Sequence, residues 1–344
     1  MPVFNCDKYL EEAINSILNQ TFKNFEFIIV CSCPTNKTKE ILETYQSLDS
    51  RISIFYQERK GIIFARNFGC HLATGEFVAV MDADDIACPK RFETQLSFME
   101  KNSEIGIAGS WSEIIDEQGV VKDIIRCPSN PFVIGWYLIF GNCMMHLTIL
   151  MRANILKKLN YYTQEINGFP EDYDLFCRAF FITKIANIPI SLTQHRMHSR
   201  NNSANVRTEL VQFCNKIRNT MIQQLSDEKY LKFLEETGLQ MDSDIFTFNN
   251  NYNEKQIQFI EDLYNIYTQH FSITEEDLKQ IRSHFALKIW IYAQSMKDYS
   301  KKKSVILLYK ALIYSKSTVI KTIIQALRRR LRQILYPSKI QHTN

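Results

Sequence analysis

Short apolar runs alternate with amphipathic stretches along the first 205 residues of the chain. The apolar runs that predict buried β-strands span residues 25–30, 52–56 and 77–81. Amphipathic helices are predicted before and between these strands, one from Asn5 to about Gln20, one carrying Ile41, Leu42 and Tyr45, and one from Gly61 to Ala73. Because strands that alternate with helices of this length form βαβ units, the pattern predicts an α/β fold with a mostly parallel sheet.

After Pro89 the pattern becomes less regular. It predicts a helix to about Lys101 and then four strands, at residues 105–115, 120–125, 146–151 and 185–192. The first two of these strands enclose a polar turn, so we expect an antiparallel pair and a mixed sheet. Beyond about residue 205 the pattern is helical. The sequence therefore predicts a Rossmann-like α/β domain over residues 1–205, with helices flanking the sheet, and a helical C-terminal region over residues 206–344.

Three carboxylates, Asp82, Asp84 and Asp85, follow directly after the apolar run at 77–81. An uninterrupted apolar run of this kind predicts a buried strand of a parallel sheet, and such sheets bind ligands beyond the carboxyl ends of their strands. Clustered carboxylates repel one another unless a cation lies between them. Oxygen ligands suit Mg²⁺ or Mn²⁺, which commonly hold substrate phosphates. The alternative is a solvated acidic turn before the helix that follows Pro89, and the motif alone leaves both interpretations open.

A second acidic group, formed by Glu171, Asp172 and Asp174, lies in the first turn of a helix predicted to begin near residue 170. Negative charge at the amino end of a helix complements the helix dipole, which is a purely structural explanation for these residues. Their chemistry is therefore not decided by their position alone.

The formal charge of +4 is unevenly distributed. Residues 299–344 contain eleven Lys or Arg and no acidic residue, so the first 298 residues carry −7. The last helix, about residues 317–336, has an apolar face formed by Val319, Ile320, Ile323, Ile324, Leu327, Leu331, Ile334 and Leu335. A basic amphipathic helix of this kind predicts binding to an anionic membrane surface. The alternatives are a helix packed on the domain or an RNA-binding tail. Aromatic residues are not interleaved with the basic ones, which argues against nucleic acid.

Nine scattered cysteines, without a Cys-x-x-Cys motif, indicate a reducing compartment rather than a disulfide framework. The amino terminus lacks a basic region followed by an apolar run, so no signal peptide is predicted. One uncharged run, residues 131–151, is long enough to span a membrane, but its prolines, glycines and polar residues favour a helix, a loop and a strand. We therefore expect a cytoplasmic protein that is peripheral on the inner face of the membrane.

Three motifs occur in a recognisable order: Pro-Val-Phe-Asn at residues 2–5, Asp-Ala-Asp-Asp at 82–85 and Glu-Asp-Tyr-Asp at 171–174. Together they resemble the family-2 inverting glycosyltransferases, which have a GT-A fold, over about residues 1–205. The resemblance implies a nucleotide-sugar donor, usually a UDP-sugar, and a divalent cation, Mn²⁺ or Mg²⁺. It also implies attack on the anomeric carbon by a hydroxyl of a glycan or lipid-linked acceptor.

The resemblance assigns expected roles to individual residues. Asp84 corresponds to the direct metal contact, while Asp82 lies nearer the ribose or the metal's waters. Asp172 corresponds to the general base, with Glu171 as the neighbouring candidate. The residues expected at the nucleotide are Pro2, Phe4, Asn5, Ser32, Arg66 and Arg196, the two arginines near the pyrophosphate. His198 is expected near the pyrophosphate as a further metal ligand.

Two departures from the family pattern stand out. Where the family usually has Asp-Gly-Ser-Thr-Asp after the second strand, residues 32–36 read Ser-Cys-Pro-Thr-Asn, so Ser32 offers one uncharged hydrogen bond for the base and Pro34 removes a backbone donor. Family members also carry about four more apolar residues before Pro2, which suggests a truncated gene model or a decaying copy. An active enzyme remains the leading hypothesis. The alternatives are a non-catalytic relative that binds a nucleotide or a partner, and, less favoured, a metal-dependent nucleotidyltransferase.

Overall fold

A computed structural model describes residues 1–4, 6–58, 61–164, 170–198, 208–237, 253–295 and 301–335. Residues 1–222 form one compact unit, and the described residues after Ile222 form a second one. The first unit is a mixed α/β structure with two sheets, and the second is helical.

The first sheet contains three parallel strands in the order β1-β2-β3. These strands are β1 (Pro2–Val3), β2 (Phe27–Ser32) and β3 (Ile52–Gln57). The helices between and after them are α1 (Leu10–Leu18), α2 (Asn36–Leu48) and α3 (Ile62–Leu72). The predicted alternation of strands and helices is confirmed, although α1 begins five residues later than Asn5. Apolar residues of α1, α2 and β2 meet in one core that includes Leu10, Ile14 and Ile29.

The second sheet has the order β4-β8-β6-β9-β5, with β7 added beside β6. Its strands are β4 (Phe77–Ala79), β5 (Ile86–Ala87), β6 (Ile105–Ile115), β7 (Val121–Ile125), β8 (Leu150–Arg152) and β9 (Lys184–Arg196). The helices around it are α4 (Arg91–Lys101), α5 (Pro131–Leu138), α6 (Ala153–Lys158) and α7 (Glu171–Phe180). Strands β6 and β9 are parallel, whereas the other pairs are antiparallel. The mixed sheet is as predicted.

The strand before the acidic cluster differs from the prediction. Strand β4 ends at Ala79, two residues earlier than expected, and pairs antiparallel with β8 rather than within a parallel sheet. The carbonyl of Val80 instead accepts a hydrogen bond of 2.8 Å from the guanidinium of Arg91, a fully buried side chain of α4. The apolar run predicted burial and extended backbone, but it carried no information on the direction of the neighbouring strand. Residues 146–148 were likewise predicted as strand and form a short 3-10 helix.

A cavity of about 640 Å³ lies between β2 and β4. Strand β1 covers only Val30 and Cys31 of β2, and β4 is the terminal strand of its own sheet. The amino group of Met1 is buried at this cavity, where it donates a hydrogen bond of 2.8 Å to the carbonyl of Ile28. Burial lowers the pKa of this amino group to about 6. Beside β1, the first sheet and the terminal strand β4 of the second sheet are therefore separated by a gap.

The helices after β9 are α8 (Thr208–Thr237), α9 (Asn253–His270), α10 (Glu275–Ser295) and α11 (Lys301–Leu335). Helices α8 and α11 are kinked at Ser226 and Ser315. Thr274 caps α10 by accepting a hydrogen bond of 3.2 Å from the amide of Asp277. No helix in the ranges given above is long and apolar enough to cross a membrane.

The basic amphipathic helix predicted at about 317–336 lies within α11, whose side chains are described as far as Gln325. Its predicted apolar face is split in the structure. Val319 is fully buried, whereas Ile320 and Ile324 are exposed. Val319 therefore packs inward, and it does not belong to a membrane-facing surface.

Candidate active site

The three carboxylates after β4 face three different partners. Asp82 lies 3.1 Å from a guanidinium nitrogen of Arg66, and Asp84 lies 3.0 Å from the Nε2 atom of His198. Asp85, which is almost fully buried, accepts a hydrogen bond of 2.8 Å from the backbone amide of Arg196. The turn is therefore neither a solvated acidic loop nor a set of carboxylates that converge on one point.

Arg66, on α3, bridges two carboxylates that are far apart in sequence. Its guanidinium pairs with both Asp82 and Glu171, and its side chain is only 8 % exposed. Burial opposes the charged form, but the two neighbouring carboxylates outweigh it, so the pKa of Arg66 is raised. Burial disfavours the ionised form of Asp82 most strongly, but the charge and hydrogen bond of Arg66, together with His146 and His195, outweigh it and lower the pKa of that carboxyl. The bridge holds the acidic turn against the start of α7.

The Asp84–His198 pair combines a carboxylate oxygen and an imidazole nitrogen. His198 follows the end of β9, and its ring stacks on Tyr9 with the ring centroids 5.3 Å apart. Within the described residues, no group of three or more His, Cys, Asp and Glu side chains could hold a metal ion. Two protein ligands suit Mn²⁺ or Mg²⁺ when waters and substrate phosphates complete the coordination, because these ions are often bound by one or two carboxylates in this way. The donor set at Asp84 and His198 therefore fits a substrate-dependent metal site.

Arg196 lies beside the acidic turn but is buried. Its Nε atom donates a hydrogen bond of 3.1 Å to the carbonyl of Asp84, and its Nη2 atom lies 2.5 Å from the carboxylate of Glu12. Asp85 also lies 3.1 Å from the Nδ1 atom of His195. Arg196 and Asp85 thus fasten the turn to the end of β9. The sequence did not single out Asp85 for this role, although its place next to Asp84 was a usable signal.

The Glu171–Asp172 pair begins α7. Glu171 is buried, and burial raises its pKa to about 7. Asp172 is half-buried, and its two oxygens accept hydrogen bonds from the backbone amide of Tyr173 at 2.7 Å and from the side-chain amide of Asn142 at 2.8 Å. Burial raises the pKa of Asp172 as well. Of the two carboxylates, Asp172 is the one that is partly exposed to solvent, because Glu171 is enclosed with Arg66.

The described residues that were expected at the nucleoside, Pro2, Phe4 and Ser32, are all uncharged. Ser32 closes β2, is almost fully buried, and accepts a hydrogen bond of 2.8 Å from the side-chain amide of Gln57. Phe4 has 44 % of its surface exposed, and Pro2 lies in β1. Asn5, predicted to contact the nucleotide, lies outside the described residues. Because β1 pairs in parallel with the end of β2, Pro2, Phe4 and Ser32 lie at the same end of the first sheet.

Comparison with known proteins decides the family. A model described as Glycosyl transferase family 2 matches residues 1–152. An uncharacterized glycosyltransferase of Methanocaldococcus jannaschii is 38 % identical over 205 residues, which cover 57 % of this chain and 68 % of the relative. The chain belongs to glycosyltransferase family 2. The O-antigen biosynthesis glycosyltransferase WbnJ of Escherichia coli is 33 % identical to this family member over 179 residues, 52 % of the chain and 69 % of the relative.

Solved structures agree with the fold of this family. The crystal structure of S. aureus TarS 1-349 in complex with UDP superposes with a TM-score of 0.54 and covers 90 % of this chain and 88 % of that one. At 17 % sequence identity the likeness concerns the fold alone. The glycosyltransferase therefore has the predicted GT-A fold, a mixed α/β structure followed by a helical C-terminal region.

Proposed function

We propose that this glycosyltransferase transfers a sugar from a nucleotide-sugar donor, a UDP-sugar, to a hydroxyl of a growing glycan or lipid-linked saccharide. The observation that carries the proposal is the buried Arg66 bridge. Because it joins Asp82 to Glu171, it brings together the two chain segments that carry Asp84 and Asp172, which supports a single site for both carboxylates. Two further findings support the substrates: TarS is described in complex with UDP and UDP-GlcNAc, and WbnJ is named for O-antigen biosynthesis.

The proposed metal is Mn²⁺ or Mg²⁺, held by Asp84 and His198, with Asp82 nearer the ribose or the metal's waters. When bound, the cation stabilises the negative charge that develops on the departing diphosphate. Arg66 compensates part of the charge of Asp82, so an ionised carboxylate beside the pyrophosphate adds less repulsion than an unpaired one would.

The proposed general base is Asp172. The acceptor oxygen attacks the anomeric carbon from the face opposite the diphosphate, and the bond from that carbon to the diphosphate oxygen breaks, so the configuration inverts. Asp172 takes the proton from the acceptor hydroxyl as the new bond forms, because an unassisted hydroxyl is a poor nucleophile. Glu171 instead holds Arg66, since its carboxylate is buried against the guanidinium.

Two substitutions separate the proposed roles of the carboxylates. In calorimetric titrations with Mn²⁺ and UDP-sugars, Asp84→Ala is expected to lose donor binding. Asp172→Asn is expected to keep donor binding and lose about 100- to 10,000-fold in turnover, the usual range for a general base. The control is Asp123→Asn, an exposed carboxylate on β7, which should match the wild type in both assays. Full turnover in Asp172→Asn contradicts the assignment of the base.

A second candidate function, binding of a nucleotide without catalysis, is favoured by one observation. Ser32, at the position of the family's base-binding carboxylate, has its hydroxyl engaged by Gln57 and brings no charge. On this hypothesis the wild type binds a nucleoside diphosphate but transfers no sugar to any acceptor. Turnover that is lost in Asp172→Asn eliminates the hypothesis.

We also propose that the helical region places the enzyme on the inner face of the cytoplasmic membrane. Helix α11 exposes apolar side chains at helical spacing, among them Val305, Tyr309 and Ile313, each more than 60 % exposed. Beyond the kink, Ile320 and Ile324 are exposed as well. Because residues 299–344 contain no acidic residue, this surface is suited to anionic lipid headgroups.

A further inference from the structure

The loop that joins α5 to the 3-10 helix carries an exposed side chain that reaches the proposed general base. The Nδ2 atom of Asn142 donates a hydrogen bond of 2.8 Å to Oδ2 of Asp172. The other end of the same amide is also engaged, because its Oδ1 atom accepts a hydrogen bond of 2.9 Å from the backbone amide of Met144. A backbone N–H can only donate, so the oxygen of Asn142 must face Met144 and the nitrogen must face Asp172.

We propose that Asn142 is a positioning residue that fixes the plane of the Asp172 carboxylate for proton removal from the acceptor hydroxyl, an inference that rests on the proposed function. Each oxygen of Asp172 accepts one N–H, Oδ2 from Asn142 and Oδ1 from the backbone of Tyr173 at 2.7 Å. Two donors on the two oxygens stop rotation of the carboxylate. They also leave further lone pairs free to accept the proton of the acceptor.

The loop itself is tied to α7, so Asn142 is held in place relative to Asp172. The buried hydroxyl of Tyr173 donates a hydrogen bond of 2.6 Å to the carbonyl of Leu138, the last residue of α5. Trp136 is fully buried and makes an edge-to-face contact with Phe140, with the ring centroids 5.2 Å apart. Positioning precise to a fraction of an ångström requires such support, because a catalytic group on an untethered loop loses its alignment.

A neutral donor suits a general base better than a cation does. A Lys or Arg beside Asp172 would stabilise the carboxylate so strongly that it would accept a proton poorly. The titratable groups around Asp172 come from several elements. Arg66 lies on α3, Glu171 and Cys177 lie on α7, Cys214 lies on α8, and Tyr162 lies between α6 and α7. Burial raises the pKa of Asp172, while the amide of Tyr173, the charge of Arg66 and the amide of Asn142 act in the opposite direction. Loss of Asn142 therefore raises this pKa further.

The test compares Asn142→Ala and Asn142→Asp with the wild type and with Gln46→Ala, which removes an exposed amide on α2. Both Asn142 variants are expected to lose about tenfold or more in kcat, the equivalent of one hydrogen bond to a charged group, with the KM for the donor unchanged. The acidic limb of the kcat profile should move to higher pH, and further for Asn142→Asp, whose added charge repels Asp172. Gln46→Ala should show none of these changes.

A second readout does not depend on catalysis. The carboxyl carbon of Asp172 can be followed by ¹³C NMR in the full chain, with its signal assigned from Asp172→Asn. Its titration is expected to move to higher pH in Asn142→Ala than in the wild type. An unchanged titration, or wild-type kcat in Asn142→Ala, overturns the inference. A wild type without any transfer activity defeats the proposed function instead, and the titration then decides separately whether Asn142 controls Asp172.

Discussion

A polypeptide that starts at Met1 has a buried amino group and with it a pH-dependent loss of stability, which an added strand should remove. The pKa of this amino group is about 6 in the folded chain, because it is buried, against an ordinary value of 8.0. The folded chain therefore binds this proton more weakly than the unfolded chain does. Burial of this amine therefore costs no stability above pH 8, and the free energy of unfolding decreases as the pH falls towards 6. A difference of two pKa units corresponds to about 2–3 kcal/mol in the free energy of unfolding.

The perturbation is an amino-terminal extension of four apolar residues, Val-Val-Ile-Val, placed directly before Met1. The extension converts the buried amine into an amide and leads into the cavity of about 640 Å³ between β2 and β4. Each buried Val or Ile side chain contributes about 1.5–3 kcal/mol, against about 1–2 kcal/mol for ordering each residue's backbone. We expect a net stabilisation above pH 8 and a larger one at pH 6, where the amine's penalty is also removed.

The control extension is Gly-Ser-Gly-Ser, which moves the amine away without filling the cavity. The free energy of unfolding of the wild type and of both extended proteins is measured by urea titration, followed by tryptophan fluorescence, at about pH 5.5 to 8.5. Both extensions should abolish the part of the pH dependence that belongs to Met1, but only the apolar one should stabilise the protein above pH 8. Equal stability of the two extended proteins refutes the idea that the cavity accepts a strand, and an unchanged pH dependence refutes the buried amine.

Three further predictions concern other parts of the chain. Glu171→Gln should lower the free energy of unfolding by about 1–3 kcal/mol in urea titrations at pH 8, because Arg66 loses a charged hydrogen-bond partner; unchanged stability contradicts the buried bridge. Ser32→Asp should tighten calorimetric binding of UDP more than that of GDP, since it restores the carboxylate typical of the family; equal changes contradict this. Deletion of residues 317–344 should reduce sedimentation with anionic, but not neutral, liposomes, and undiminished sedimentation contradicts the membrane surface.

The fold was largely predictable because its elements follow local patterns. Strands β2 and β3 and the pair β6–β7 lie where apolar runs and a polar turn predicted them. The direction of β4 was not predictable, because its antiparallel partner β8 lies some seventy residues away and both directions require the same apolar side chains. Which side of α11 is buried was not predictable for the same reason. Val319 faces inward, whereas Ile320 and Ile324, which are equally apolar, are exposed.

The candidate site was predicted as a set of motifs but not as a set of pairs. The resemblance to the family singled out Asp84, His198 and Asp172 as candidates. It did not show that His198 faces Asp84 across 114 positions, nor that Arg66 joins Asp82 to Glu171. Asn142 carried no motif at all, and only the fold brings it to Asp172. Long-range pairing of this kind depends on how the strands and helices are arranged, which spacing along the chain does not reveal.

The most direct test of the central claim is a turnover measurement on the wild-type protein. A panel of UDP-sugars is incubated with Mn²⁺ and a saccharide acceptor bearing a free hydroxyl, and the release of UDP is followed with and without EDTA. We expect UDP release that EDTA abolishes, that Asp84→Ala and Asp172→Asn both lose, and that yields a glycosidic product of inverted anomeric configuration. Release that persists in EDTA, or a product that retains the donor's configuration, would contradict a metal-dependent inverting transfer at Asp84 and Asp172.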